Sequence, residues 1–194
     1  MVSSVWLGGC STIQEPSNDS VPLAQATWDD REAKLASIKS FDINAKIAIR
    51  DVKRNRGENA NLDWHQKNLN YSLLLYGPMG SGSQKLSGRP GKVLLETSDG
   101  KKFAAKSPED LLASQTGWLI PVSNLYYWVR GMPVPGLAAK KVLDKNNQLV
   151  QLSQGGWKIN YLGYTSVNKM YMPRKIQLVN PNLSVKIVIS RWKI

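Results

Sequence analysis

Cysteine and histidine are almost missing from this chain: its 194 residues hold one of each, Cys10 and His65. One cysteine excludes an intrachain disulfide, and a His/Cys metal site would need several such ligands converging. Long apolar runs are missing as well. No stretch reaches the roughly 18 residues of a helical membrane span. Acidic residues are scarce, 14 Asp and Glu against 26 Lys and Arg, which gives a formal net charge of +12. That balance favours anionic partners, whether nucleic acid, anionic lipid or an acidic protein face, without choosing among them. The basic residues are scattered, with Lys53-Arg54-Asn55-Arg56 the one dense cluster. No arginine-rich arm or finger motif accompanies it, so nucleic acid is the weaker option.

Catalytic signatures are lacking too. Residues 77–82 have the glycine spacing of a phosphate-binding loop, but Ser83 and Gln84 stand where Lys and Ser or Thr would reach the phosphates. Gly80-Ser81-Gly82 is no nucleophile elbow, because Met79 and Ser83 occupy the flanking glycine positions. His65 neighbours Trp64 in a strand-like run, and a residue beside an inward Trp points outward. Asp63, Glu96, Asp99 and Asp110 show no spacing that pairs them for acid–base work. Neither an enzyme nor a bound cofactor or metal is expected.

What is there begins with a globular profile, 42% hydrophobic and 21% charged, on a length that suits one domain with a sizeable core. Leu7-Gly8-Gly9-Cys10 resembles a bacterial lipobox, in which small residues precede the cysteine whose thiolate takes up diacylglycerol. Residues 1–9 are then the end of a signal peptide, shorter than a whole one and without Lys or Arg. Residues 10–26, polar and carrying Pro16 and Pro22, are the acylated cysteine and its flexible tether. Residues 27–194 are the folded domain.

Thr27 caps a helix whose first turn carries Asp29, Asp30 and Glu32, with Trp28, Leu35 and Ile38 as its apolar stripe. Phe41, Ile43, Ala45, Ile47 and Ile49 then alternate with polar residues. Leu62, Trp64, Leu69, Tyr71, Leu73 and Leu75 continue the alternation. Ser107-Pro108 opens a second helix, and Ser123 caps a third over residues 124–130, closed by Gly131. In all, about eleven strands and three helices follow, and tight turns between consecutive strands make the sheet antiparallel. A sheet that wide must curl toward closure. Within it Trp64, Tyr71, Trp118, Tyr126, Tyr127, Trp128 and Trp157 suit a deep apolar cavity.

Residues 71–82 hold the most pointed feature. The apolar run Leu73-Leu74-Leu75 stops at Gly77-Pro78, and Met79 stands alone before Gly80-Ser81-Gly82. Proline fixes its own φ and glycine supplies positive φ, so this is a turn. An apolar side chain at its tip either folds back or serves as a finger toward membrane or apolar ligand.

Gly117-Trp118-Leu119-Ile120-Pro121, followed by Asn124-Leu125-Tyr126-Tyr127-Trp128-Val129-Arg130-Gly131-Met132-Pro133, resembles a segment of the outer-membrane lipoprotein receptor family LolB. The Leu-rich run with its apolar-tipped turn (Gly77, Pro78, Met79, Gly80), Trp157 to Tyr164, and Met172-Pro173 agree in order, as does the lipobox at Cys10. Met79 stands where the family's best-known version has Leu. The resemblance implies an incomplete, half-open antiparallel barrel, mainly β, lidded by three helices. Its apolar cavity would be lined by Trp64, Tyr71, Leu73, Leu75, Trp118, Leu125 and Trp128. It implies a monomeric receptor anchored at the periplasmic face of the outer membrane through Cys10. The receptor would accept acylated lipoproteins from the soluble periplasmic carrier LolA, and residues 77–80 would contact outer-membrane phospholipids during insertion. The competing reading is a soluble carrier of the LolA type, or a general lipid-binding lipoprotein. The lipobox separates these, because a carrier must be free in the periplasm.

Overall fold

The computed structural model describes residues 26–80 and 82–194. Cys10 and the tether up to residue 25 lie outside the described residues, as do Ser81 and the side chain of Met79.

Helix α1 (Trp28–Ser37) starts on a reciprocal cap: the Thr27 hydroxyl accepts from the Asp30 N–H at 3.2 Å, and the Asp30 carboxylate accepts from the Thr27 N–H at 3.1 Å. Asp29 and Asp30 in its first turn suit the helix dipole. Six strands follow: β1 (Ser40–Asp51), β2 (Arg56–Lys67), β3 (Asn70–Tyr76), β4 (Gln84–Arg89), β5 (Lys92–Thr97) and β6 (Lys102–Ala105). Helices α2 (Pro108–Thr116) and α3 (Val122–Trp128) come next. The second half is β7 (Ala139–Leu143), β8 (Leu149–Gln154), β9 (Trp157–Val167), β10 (Met170–Val179) and β11 (Leu183–Lys193).

All eleven strands lie in one antiparallel sheet in the order β6-β5-β4-β3-β2-β1-β11-β10-β9-β8-β7. Every neighbouring pair is consecutive in the chain except β1 and β11. The edges β6 and β7 do not pair, so the barrel is open, and α2 and α3 connect one edge to the other.

The alternation read from the sequence is the alternation of the sheet. Phe41, Ile43, Ala45 and Ile49 are buried, and Lys46 and Arg50 are exposed. Two details differ from expectation. Leu69 is not in a strand but in the β2–β3 turn, 59% exposed, next to Asn68 at φ +54°. Asn tolerates that left-handed conformation, so the chain reverses there and the apolar pattern skips a residue. Ser123 does not cap α3. The helix starts two residues earlier, at Val122 after Pro121, and the Ser123 N–H donates to Glu109 Oε1 of α2 at 2.8 Å. A carboxylate from the neighbouring helix thus serves the amide that a local cap would have served.

Pro173, inside β10, is accommodated where the β9–β10 register shifts, the usual refuge of proline in a sheet. Its free carbonyl accepts from Trp192 Nε1 at 2.8 Å. The segment after α3 is fastened by Gln154. Its amide oxygen accepts from Trp128 Nε1 and the Val134 N–H, and its nitrogen donates to the carbonyls of Val134 and Leu137.

Candidate functional site

Three cross-strand rows on the inner face build the interior. The middle row runs Trp192, Ile43, Trp64, Leu73, Leu86, Leu95, Phe103 through directly paired residues. Toward the loop end lie Ile189, Ala45, Leu62, Leu75, Gln84 and Thr97. Toward the other end lie Phe41, Gln66, Tyr71, Gly88, Val93 and Ala105. Strands with period two present such rows whenever register is kept, so the apolar lining follows from the alternation. Gly88 is needed in its row: a Cβ there would collide with the ring of Tyr71, which fills the space left by the missing side chain.

The interior is largely occupied by its own side chains, and among the cavities of the described residues two lie at opposite ends of these rows. One, of about 330 Å³, is lined by Trp64, Tyr71, Val93, Val122, Tyr126 and Tyr127, with the exposed Arg89 and Lys106 at its rim. The other, of about 200 Å³, is lined by Ile47, Ile49, Leu75 and Trp118. Gly77 and Gly82, which bracket the Met79 turn, complete it. The residues expected from the sequence to line a cavity therefore divide. Trp64 and Tyr71 face the first space, and Leu75 and Trp118 the second. Leu73 is buried in the row between them. Leu125 and Trp128 are core residues that line neither. Pro78, Met79 and Gly80 form a single 3-10 turn between β3 and β4.

Two buried polar atoms beside these cavities lack a hydrogen-bond partner among the described residues, Tyr71 Oη and Trp118 Nε1. Burial pushes the Tyr71 hydroxyl up to about 12, helped by the negative charge of Glu109, so it is a neutral donor throughout the physiological range. An unpaired buried donor is costly, and a ligand acceptor would remove that cost.

Arg130, expected from the sequence as the last residue of a helix, lies two residues past the end of α3. It is 1% exposed. Its Nε donates to the Tyr126 carbonyl at 2.9 Å, and Nη1 donates to the carbonyls of Leu35 and Ile38 at 3.2 and 2.7 Å. The guanidinium lies 3.9 Å from the Tyr126 ring centroid. Burial lowers its pKa. The side chain ties the carboxyl end of α1 to α3 beside the first cavity. Only the basic residue in an otherwise apolar run (Tyr127-Trp128-Val129-Arg130) could have signalled it. His65 is exposed, as read, and its Nδ1 lies 2.8 Å from Asp42 Oδ1.

Comparison with known proteins decides the family. The profile of the Outer membrane lipoprotein LolB family matches residues 39–192. The chain belongs to this family. It is 36% identical over 192 residues to Outer-membrane lipoprotein LolB of Coxiella burnetii, covering 99% of this chain and 90% of that one. It is 40% identical over 166 residues to the Pseudomonas putida protein of the same name, covering 86% and 80%. In fold it is similar to a LolA superfamily protein from Nitrosomonas europaea, with TM-score 0.57 and 9% identity over 87% of this chain and 94% of that one. It is also similar to a DUF1329 family protein from Desulfovibrio piger, with TM-score 0.58, 8% identity and coverage of 89% and 93%. At such identities these likenesses speak of the fold alone. Open barrels of this kind are thus shared with proteins whose sequences have diverged widely, while LolB membership rests on the sequence.

Proposed function

We propose that the protein is an outer-membrane-anchored receptor that takes acylated lipoproteins from the periplasmic carrier LolA and inserts them into the outer membrane, without acting as an enzyme. The observation that carries this reading is an apolar inner face that ends in two cavities, one of them bounded by the Met79 turn. A buried methylene is worth roughly 0.8 kcal/mol, so a long acyl chain left in water costs on the order of 10 kcal/mol. Such a chain has to pass from one apolar shelter to another. At about 330 and 200 Å³ the cavities stand at and below the low end for ligand sites, and neither alone suits several acyl chains. Acceptance therefore requires α2 and α3 to shift and merge them. The unpaired Tyr71 hydroxyl and Trp118 N–H then meet the ester carbonyls of the cargo.

The chain with Cys10→Ala, which cannot be acylated, is expected to take lipoprotein from loaded LolA in solution. Failure to do so sinks the receptor reading. Mass spectrometry of the native protein should find Cys10 acylated. Met79→Glu should leave acceptance intact and impair delivery to liposomes, and equal delivery by mutant and parent would remove the finger role.

A further inference from the structure

The one dense basic cluster of the sequence forms the tip of the β1–β2 hairpin, and the fold brings it to the end of the barrel that carries the Met79 turn. β3 ends at Tyr76 opposite Asn61, while the β1–β2 ladder continues from Ile47↔Ala60 to Asp51↔Arg56. The hairpin therefore stands past the end of β3, with Gly77 and the turn Pro78–Gly80 at its flank. Its tip is built to last. The Asp51 carboxylate accepts from the Arg54 N–H at 2.9 Å, and the Val52 N–H donates to the Asn182 carbonyl at 2.8 Å. Arg50 bonds Asn55 Oδ1 at 3.0 Å. With the backbone pinned, Val52 is 54% exposed and Lys53, Arg54 and Arg56 point to solvent.

A third segment joins them. Arg54 Nη1 lies 3.3 Å from where a Cβ on Gly117 would stand. Gly117 ends α2, Trp118 turns in to line the 200 Å³ cavity, and Leu119 turns out, 69% exposed. The stem of the hairpin (Ile49, Glu58), the two ends of the Met79 turn (Gly77, Gly82) and Thr116 and Trp118 thus line one cavity. The carboxylates at this end are Asp51, 3.9 Å from Arg54 Nη1; Glu58, on the cavity wall; and Glu96 and Asp99, paired with Lys102 and Lys101. Among the described residues Lys53 and Arg56 have no ion-pair partner.

We propose that this end is the membrane-docking surface of the domain: Val52 and Leu119 enter the interface of an anionic phospholipid bilayer on either side of the 77–82 loop, and Lys53, Arg54 and Arg56 bind lipid phosphates. Exposed aliphatics beside solvent-facing cations are what a headgroup boundary accommodates. An acidic protein would use the cations but leave Val52 and Leu119 without a purpose. The inference rests on the delivery reading and adds to it the residues that set the docking pose and the lipid class.

The test uses the full chain with Cys10→Ala and sedimentation with vesicles of phosphatidylcholine, or of equal parts phosphatidylcholine and phosphatidylglycerol. Binding is expected to the mixed vesicles and to fall with salt. Lys53→Gln/Arg56→Gln should weaken it about thirtyfold, and Val52→Ser/Leu119→Ser should weaken it further. Lys67→Gln/Lys92→Gln, at the opposite end, should change it little. No binding to mixed vesicles, or equal loss from the opposite-end control, overturns the proposal. So does a loss of cargo acceptance from LolA in place of a loss of vesicle binding, which would make the turn a carrier contact. Unchanged acceptance with reduced vesicle binding supports it, and failure of acceptance by the parent chain sinks the receptor reading instead. Unchanged thermal unfolding of each variant keeps a folding defect from imitating either result.

Discussion

Arg130 brings a guanidinium into the interior with only carbonyls and tyrosine rings to meet it. Carbonyls at the carboxyl end of a helix carry partial negative charge, so the cation is paired with dipoles rather than with an anion. Arg130→Ala would strip its donors from the carbonyls of Tyr126 and Ile38, leave Leu35 only the Ile38 N–H, and open a cavity, and should cost about 3 kcal/mol in urea unfolding. Lysine has no planar fork and should recover only part of that. Two tyrosines make a second residue-scale contrast. The Tyr161 hydroxyl donates to the Trp128 carbonyl at 2.9 Å, whereas that of Tyr71 has no partner among the described residues. Tyr161→Phe should therefore cost about 1 kcal/mol, and Tyr71→Phe close to nothing. If the Tyr71 hydroxyl serves the cargo, its removal should show in acyl-probe affinity while stability stays level.

Among the elements, those governed by local chemistry were legible in the sequence and those governed by neighbours were not. The α1 cap was readable because Thr27 and Asp30 satisfy each other's backbone amides without outside help. Thr27→Ala should accordingly lower stability by about 1 kcal/mol. Ser107-Pro108 is local in the same way. The start of α3 is set by Glu109 reaching across from α2, a contact fourteen residues away that no cap rule contains. The strands were readable from Phe41 to Ile49 because burial on one face imposes period two. The far ends of β9 and β10 were harder to read, since half-exposed residues such as Tyr164 and Val167 look like loop until a neighbouring strand pairs with them. Inward residues could be named, but not which of them touch empty space. Trp64 and Trp128 are equally apolar and almost equally buried, yet only Trp64 borders a cavity. That difference comes from the curl of the sheet and the seating of α3. Gly88 shows the same limit: it reads as a weak point in β4 and serves as the socket for Tyr71. Gly88→Ala should expel the ring and alter the first cavity, visible as changed binding of a fluorescent fatty acid.

At the scale of the whole molecule the buried tyrosines set an alkaline limit. Burial raises the Tyr161 and Tyr164 hydroxyls well above the usual tyrosine range and pushes Tyr71 up to about 12. An unfolded chain releases these protons near pH 10. Above that the native state binds more protons than the unfolded state, so stability falls as pH rises through the window from about 10 to about 12. Below about pH 10 this contribution is fully present. Urea unfolding followed across that window should show the decline, shallower in Tyr161→Phe; a flat profile would argue that these hydroxyls are not buried in solution.

The strand order has a further, kinetic meaning. Each half of the sheet is a meander in which every strand meets its predecessor across a short turn, so each can form by local steps. The seam of β1 with β11 is the one pairing that joins the start of the domain to its end. Its loop-closure entropy must be met before any contact compensates it, which makes it the natural rate-limiting step of folding. Truncating Ile47 or Ile187, which face each other across the seam, should slow refolding. Truncating Leu95, out in β5, should mainly hasten unfolding. Stopped-flow chevrons would separate the two, and they would show whether this barrel assembles as two meanders that zip along a single line.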